Sequence, residues 1–206
     1  MRRLPTSKSD SSLTVILAAG DFPRKHGEAR KILENAERVI ACDSAALKYR
    51  RVFKRWPEVI IGDMDSVGEV NYPVIEIKEQ ETNDLEKAIR YCLAQGWKNL
   101  VIVGATGKRE DHTIGNIYRA MKYGIKIVTD YGVFYPILGT LSMSVHKGAE
   151  LSIFASDSKA KMSAHGLVWP LDGVKFSSPY VATLNRAAST RISVTSSSPA
   201  YLYLST

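Results

Sequence analysis

The charge on this chain of 206 residues falls away about two-thirds of the way along, and that break limits the folds open to it. Of 28 basic and 21 acidic residues, only nine lie in 136–206. Ahead of the break, short apolar runs at 13–19, 39–42, 59–61, 74–77, 100–103 and 125–129 alternate with helical patterns at 30–37, 84–95 and 113–123. Val- and Ile-rich runs that alternate with helices predict a parallel α/β sheet covered on both faces. Beyond the break Ser, Thr, Tyr and Val dominate, punctuated by Gly139, Gly148, Gly166, Pro170, Gly173 and Pro179. Apolar runs at 141–145, 151–154, 167–169, 180–184, 192–194 and 201–204 recur at a spacing that predicts a small antiparallel β-sandwich or barrel. The expected plan is a disordered leader at 1–11, an α/β domain over 12–135 and a β-sandwich over 136–206.

Composition removes several classes of protein. At 45% hydrophobic and 24% charged residues, the chain is ordinary globular material. No apolar run approaches the roughly 20 residues that span a bilayer, so no membrane role is expected. Arg2 and Arg3 precede the apolar run at 13–19, but that run is short and leads into Asp21-Phe22-Pro23, which fits a buried first strand better than a signal peptide. Cys42 and Cys92 are too few and too far apart for a disulfide framework or a zinc site, and read as reduced core thiols of a cytoplasmic protein. The net charge of +7 favours an anionic partner. Because the basic residues are scattered, with no recognition-helix, zinc-finger or aromatic–basic pattern, a phosphorylated small molecule is expected and nucleic acid is not.

In doubly wound sheets ligands bind beyond the carboxyl ends of the strands, and carboxylates cluster at such places here. Asp43 follows the run at 39–42, while Asp63 and Asp65 follow 59–61 across Gly62. Residues two apart in an extended segment project to one side, so Asp63 and Asp65 can aim at one point. Paired hard oxygens with phosphate suit Mg²⁺, although an acidic turn alone would also place Asp there. Asp84 opens a helix for which Asn83 supplies an N-cap, Glu86 a capping-box partner and Gly96 a stop; its acidity is then equally explained by the helix dipole. After 100–103 comes Gly104-Ala105-Thr106-Gly107-Lys108-Arg109-Glu110-Asp111-His112. Two glycines and two cations suit phosphate, yet the spacing is not that of a P-loop, and Asp111 and His112 could simply cap the next helix. With no nucleophile elbow and no Cys–His pair, phosphoryl-type transfer is the chemistry that remains.

Taken in order, 17–23, 41–43, 62–66, 79–88, 107–116 and the late Gly166-Leu167-Val168-Trp169-Pro170-Leu171 resemble thiamine pyrophosphokinases (thiamine diphosphokinases). The resemblance implies an ATP-dependent transferase that moves the β,γ-diphosphoryl group of ATP to the hydroxyl of thiamine, giving thiamine diphosphate and AMP. It implies a nucleotide-binding α/β domain followed by a thiamine-binding sandwich. It also implies a cytoplasmic homodimer with thiamine held between subunits. By resemblance Asp43, Asp63, Asp65 and Asp84 hold Mg²⁺, with Asp63, Asp65 and Asp84 catalytic. Ser66, Gly107, Arg109, Asp111, His112 and Asn116 join Asp43 around the nucleotide, and Gln80, Trp169 and Asn185 contact thiamine. The chain departs from the family pattern at Ser44-Ala45, at Asn83 where the family has threonine, and across 182–185. Those departures leave open a diphosphokinase with another hydroxymethyl acceptor, such as a pterin, or a sensor without catalysis.

Overall fold

The computed structural model describes residues 12–62, 74–77 and 81–206. Contacts divide the chain into two compact units, Met1–Asn116 and Ile117–Thr206, and the division falls inside a helix. Among the described residues no helix is long and apolar enough to cross a membrane.

The first unit is built on five parallel strands: β1 Thr14–Leu17, β2 Arg38–Cys42, β3 Val59–Gly62, β4 Val74–Glu76 and β5 Leu100–Val103. Their order is β5-β1-β2-β3-β4. Val15, Ile16 and Leu17 of β1 are all fully buried, as an unbroken apolar run in the centre of such a sheet should be. Three helices lie between the strands: α1 Glu28–Glu34, α2 Ala45–Phe53 and α3 Asp84–Ala94. A fourth, α4 Glu110–Tyr123, follows β5. Asn83 caps α3 as its sequence predicts, its Oδ1 accepting from the Glu86 amide at 3.0 Å, and Gly96 follows the helix at a φ of +79°. Helix α1 starts at Glu28 rather than 30 and ends sooner, with Asn35 as its C-cap. Helix α2 is not among the helices expected from sequence. Ala45, Ala46 and Tyr49 form its buried stripe, but Leu47 and Val52 lie exposed and blur the period.

The second unit is antiparallel. It comprises β6 Lys126–Val128, β7 Gly132–Ser144, β8 Glu150–Ala155, β9 Met162–His165, β10 Ala182–Arg186 and β11 Arg191–Ser205. Strand β11 pairs with β7 along nearly its whole length, and a register shift between Ser196 and Ala200 separates its two halves. The first half pairs with β9 and the second with β8, which in turn carries β10. One core receives Ile192 and Val194 from the first half, Ala200 and Leu202 from the second, and Leu151, Ile153 and Met162 from the strands beside them. Strands β7 and β11 are far longer than the apolar runs predict because polar pairs continue the ladder, Thr140 with Thr195 and Ser142 with Ser193. The run at 167–169 forms only a single bridge, Leu167 to Ala187. Pro170 ends it, and the Trp169 amide bonds to a side chain instead of a strand.

Candidate functional site

A cleft of about 350 Å³ opens at the carboxyl ends of β1, β2 and β5 in the first unit, bounded by the N-termini of α2, α3 and α4. Helix N-termini present unpaired amides and the positive end of the dipole, so this arrangement favours an anionic ligand. Two loops that border it are knit backbone to backbone. Gly20 donates to the Gly104 carbonyl at 2.8 Å and Asp21 to the Thr106 carbonyl at 2.7 Å. A Cβ on Gly20 would lie 2.4 Å from the Thr106 oxygen, so only glycine permits this approach. Lys108, at a φ of +60°, donates its Nζ to the Ala19 carbonyl at 2.7 Å, tying the same loops again.

Asp43 is the most unusual group in the cleft. It is 8% exposed, holds the left-handed conformation at a φ of 42°, and has a buried Oδ1 with no hydrogen-bond partner among the described residues. Gly62 makes room for it, since a Cβ there would lie 3.0 Å from the Asp43 Cβ. A strained backbone and an unpaired buried oxygen both cost stability, and together they make Asp43 a candidate functional residue. Asp84 opens α3 on the same cleft, and Lys87 of the next turn donates to its Oδ1 at 3.3 Å. The Lys87 side chain is 4% exposed, so this ion pair is buried at one end. Lys87 did not figure in the sequence reading; its i,i+3 spacing from Asp84 is the signal that marks it.

Asn116 is 8% exposed and its amide is spent on the protein. Its Nδ2 donates to the Ala105 carbonyl at 2.9 Å, and its Oδ1 accepts from Asn83 Nδ2 at 2.8 Å. The cap of α3 is thereby linked to the loop after β5. Arg109 and His112 line the cleft. Arg109 is held by Asp111 through two contacts, at 3.1 and 2.6 Å. The Arg109 hydrogen bonds carry the Asp111 carboxyl down to about 2, helped by the His112 amide and by the nearby positive charges. Gly107, at a φ of +83°, donates to Thr113 Oγ1. Cys42 also lines the cleft; burial first, and then the charge of Asp84, pushes its thiol well above the ordinary range, so it stays protonated.

The structure thus brings Asp43, Asp84, Gly107, Arg109, His112 and Asn116 to one cleft. Asp63, Asp65, Ser66 and Gln80 lie outside the described residues. In the second unit Trp169 is 54% exposed, while Asn185 beside it in the chain pairing is 3% exposed.

Two family models account for most of the chain: the catalytic domain of thiamin pyrophosphokinase over 29–129 and its substrate-binding domain over 132–203. The chain belongs to the thiamin pyrophosphokinase family. Thiamin pyrophosphokinase 1 of Caenorhabditis elegans is 29% identical over 107 residues, covering 46% of this chain and 44% of the nematode protein. Thiamine pyrophosphokinase 1 of rice is 25% identical over 181 residues, covering 76% of this chain and 66% of the rice protein. The alignments therefore span about half to two-thirds of these relatives. Thiamine pyrophosphokinase from Bacillus subtilis shares the fold, with a TM-score of 0.71 over 94% of this chain and 99% of that one at 20% identity. The family and the mixed α/β and antiparallel architecture are those that the sequence motifs imply.

Proposed function

We propose that this family member transfers the β,γ-diphosphoryl group of ATP to the hydroxyl of thiamine, releasing AMP and thiamine diphosphate. The observation that carries the reading is the cleft itself: three helix N-termini and two cationic side chains set against the Asp84 carboxylate and a strained Asp43 whose Oδ1 has no partner among the described residues. In this reading the α/β part over 12–135 takes ATP and the sandwich over 136–206 takes thiamine. The hydroxyl oxygen of thiamine bonds to the β-phosphorus as the bond from that phosphorus to the α–β bridging oxygen breaks. AMP leaves with that oxygen, and one of the carboxylates Asp63, Asp65 or Asp84 accepts the hydroxyl proton.

Among the described residues Asp43 Oδ1 has no donor, and a hard carboxylate oxygen of this kind in a residue that lines a polar cleft suits Mg²⁺. Asp43 and Asp84, joined by Asp63 and Asp65, would hold Mg²⁺, whose charge offsets that of the phosphoryl oxygens when bound. Arg109, His112 and the amides around Gly107 bind and orient the phosphates, while Asn116 and Asn83 fix the loops that carry them. Gln80 and Trp169 hold thiamine, the aromatic face of Trp169 suiting a cationic, planar acceptor. A pterin acceptor would leave both without these tasks. The protein acts as a cytoplasmic homodimer with thiamine bound between subunits.

Purified protein incubated with ATP, Mg²⁺ and thiamine tests the reading by chromatography of nucleotides and thiamine esters. Equimolar AMP and thiamine diphosphate are expected. Formation of ADP with thiamine monophosphate, or no product, would overturn it.

A further inference from the structure

Asn185 stands out in the second unit because both ends of a buried amide engage the backbone of one exposed residue. Its Oδ1 accepts from the Trp169 amide at 3.2 Å and from the Arg186 amide at 2.8 Å, and its Nδ2 donates to the Trp169 carbonyl at 2.8 Å. Both main-chain groups of Trp169 are therefore held by a single side chain, at the point where Pro170 stops the segment from continuing as a strand. Val168 donates to the Arg186 carbonyl at 2.9 Å, which anchors the same stretch one residue earlier. The result is an indole that is 54% exposed on a backbone anchored at both 168 and 169.

The chain incurs local strain to put Asn185 there. Strand β10 slips register against β8 between Ala182 and Asn185, and in that bulge Leu184 takes a left-handed φ of 61° with its side chain 85% exposed. The Leu184 amide leaves the ladder and donates to Ser152 Oγ at 3.2 Å. Bulges of this kind re-aim a neighbouring side chain, and a leucine in the left-handed region persists only where its surroundings dictate it. The consequence of this bulge is that Asn185 points inward to the 167–169 segment.

We infer that Asn185 is a positioning residue that sets acceptor affinity through Trp169 and does not itself bind the acceptor. This rests on the reading of Trp169 as the thiamine platform given above. Its amide has one N–H left after the Trp169 carbonyl is satisfied, and it is too deeply buried to serve as a ligand in its own right.

A double-mutant cycle of Asn185→Ala and Trp169→Ala in the full chain tests the inference, with KM for thiamine and for ATP measured in each variant. Asn185→Ala should raise the thiamine KM about tenfold, as the loss of roughly one buried hydrogen bond would, and leave the ATP KM unchanged. On top of Trp169→Ala it should add almost nothing. Independent, multiplying effects would make Asn185 a direct ligand and overturn the inference. Asn185→Asp, which keeps the acceptor oxygen and loses the donor, serves if the alanine variant does not fold, and should show the same non-additivity. A second readout needs no turnover: in a Trp56→Phe/Trp97→Phe background, the fluorescence anisotropy of Trp169 should fall on Asn185→Ala. Unchanged anisotropy overturns the clamp. Falling anisotropy with a thiamine KM indifferent to Trp169→Ala would uphold the clamp and refute the platform reading instead.

Discussion

The two units treat their polar groups in opposite ways. Among the described residues the α/β cleft leaves a buried carboxylate oxygen of Asp43 unpaired, and it bends the backbone at Asp43 and Lys108 into the left-handed region. The second unit engages both the oxygen and the nitrogen of the buried Asn185 amide and leaves the apolar Trp169 and Leu184 in solvent. Unpaired polar atoms attract charge and cations; exposed apolar groups on a fixed frame attract a flat ligand. On the proposed function, chemistry and recognition place their energetic costs in different parts of the chain, the first in desolvation and the second in exposed hydrophobic surface.

The sharpest way to break this contrast is Asp43→Asn. It keeps size and one acceptor oxygen but removes the charge, and turnover should fall about 10²–10³-fold while the melting temperature stays level or rises. Near-normal AMP formation at saturating substrates would detach Asp43 from the reaction. Trp169→Ala comes next. Removing the aromatic face should raise the thiamine KM about tenfold without moving the ATP KM, and equal changes in both would make the tryptophan structural.

Smaller effects sharpen the first unit. Asn83→Ser retains an N-cap for α3 but is too short to reach Asn116, so thermal stability should hold. The ATP KM should rise several-fold, about 1 kcal/mol for the lost link between helix and loop; no change in ATP KM would make that link incidental. The smallest effect is a pH trend. Burial holds the Cys92 thiol at about 12 against an ordinary 9.0. The folded state therefore keeps a proton that the unfolded chain loses above pH 9.0. Its contribution is intact below that pH and fades as pH rises toward about 12. Cys92→Ala should flatten that part of an alkaline denaturation profile, and an unaltered profile would show that the thiol does not drive it.

Much of this was legible in the residues. Uninterrupted Val/Ile runs located β1, β2, β3 and β5, because strands buried on both faces carry no polar alternation to confuse them. Asn83 announced its cap, and Asp43 and Asp84 announced their cleft by standing next to strand and helix ends. Helix α2 was hidden by exposed Leu47 and Val52, and the length of β7 and β11 by the Ser and Thr pairs that extend them. The partners of Asn116 and Asn185 were beyond reach for another reason. An amide in sequence looks the same whether it faces a ligand or a distant carbonyl, and the choice is made by tertiary contacts 11 and 16 residues away. Strain at Asp43 and Leu184 was equally silent, since neither residue type requires a left-handed backbone.

The central claim is attack at the β-phosphorus, and ATP labelled with ³²P at that position reports on it directly. With thiamine and Mg²⁺ present, the account predicts that all transferred label appears in thiamine diphosphate and none in the AMP released. Label retained in ADP, with thiamine monophosphate as the unlabelled product, would contradict it.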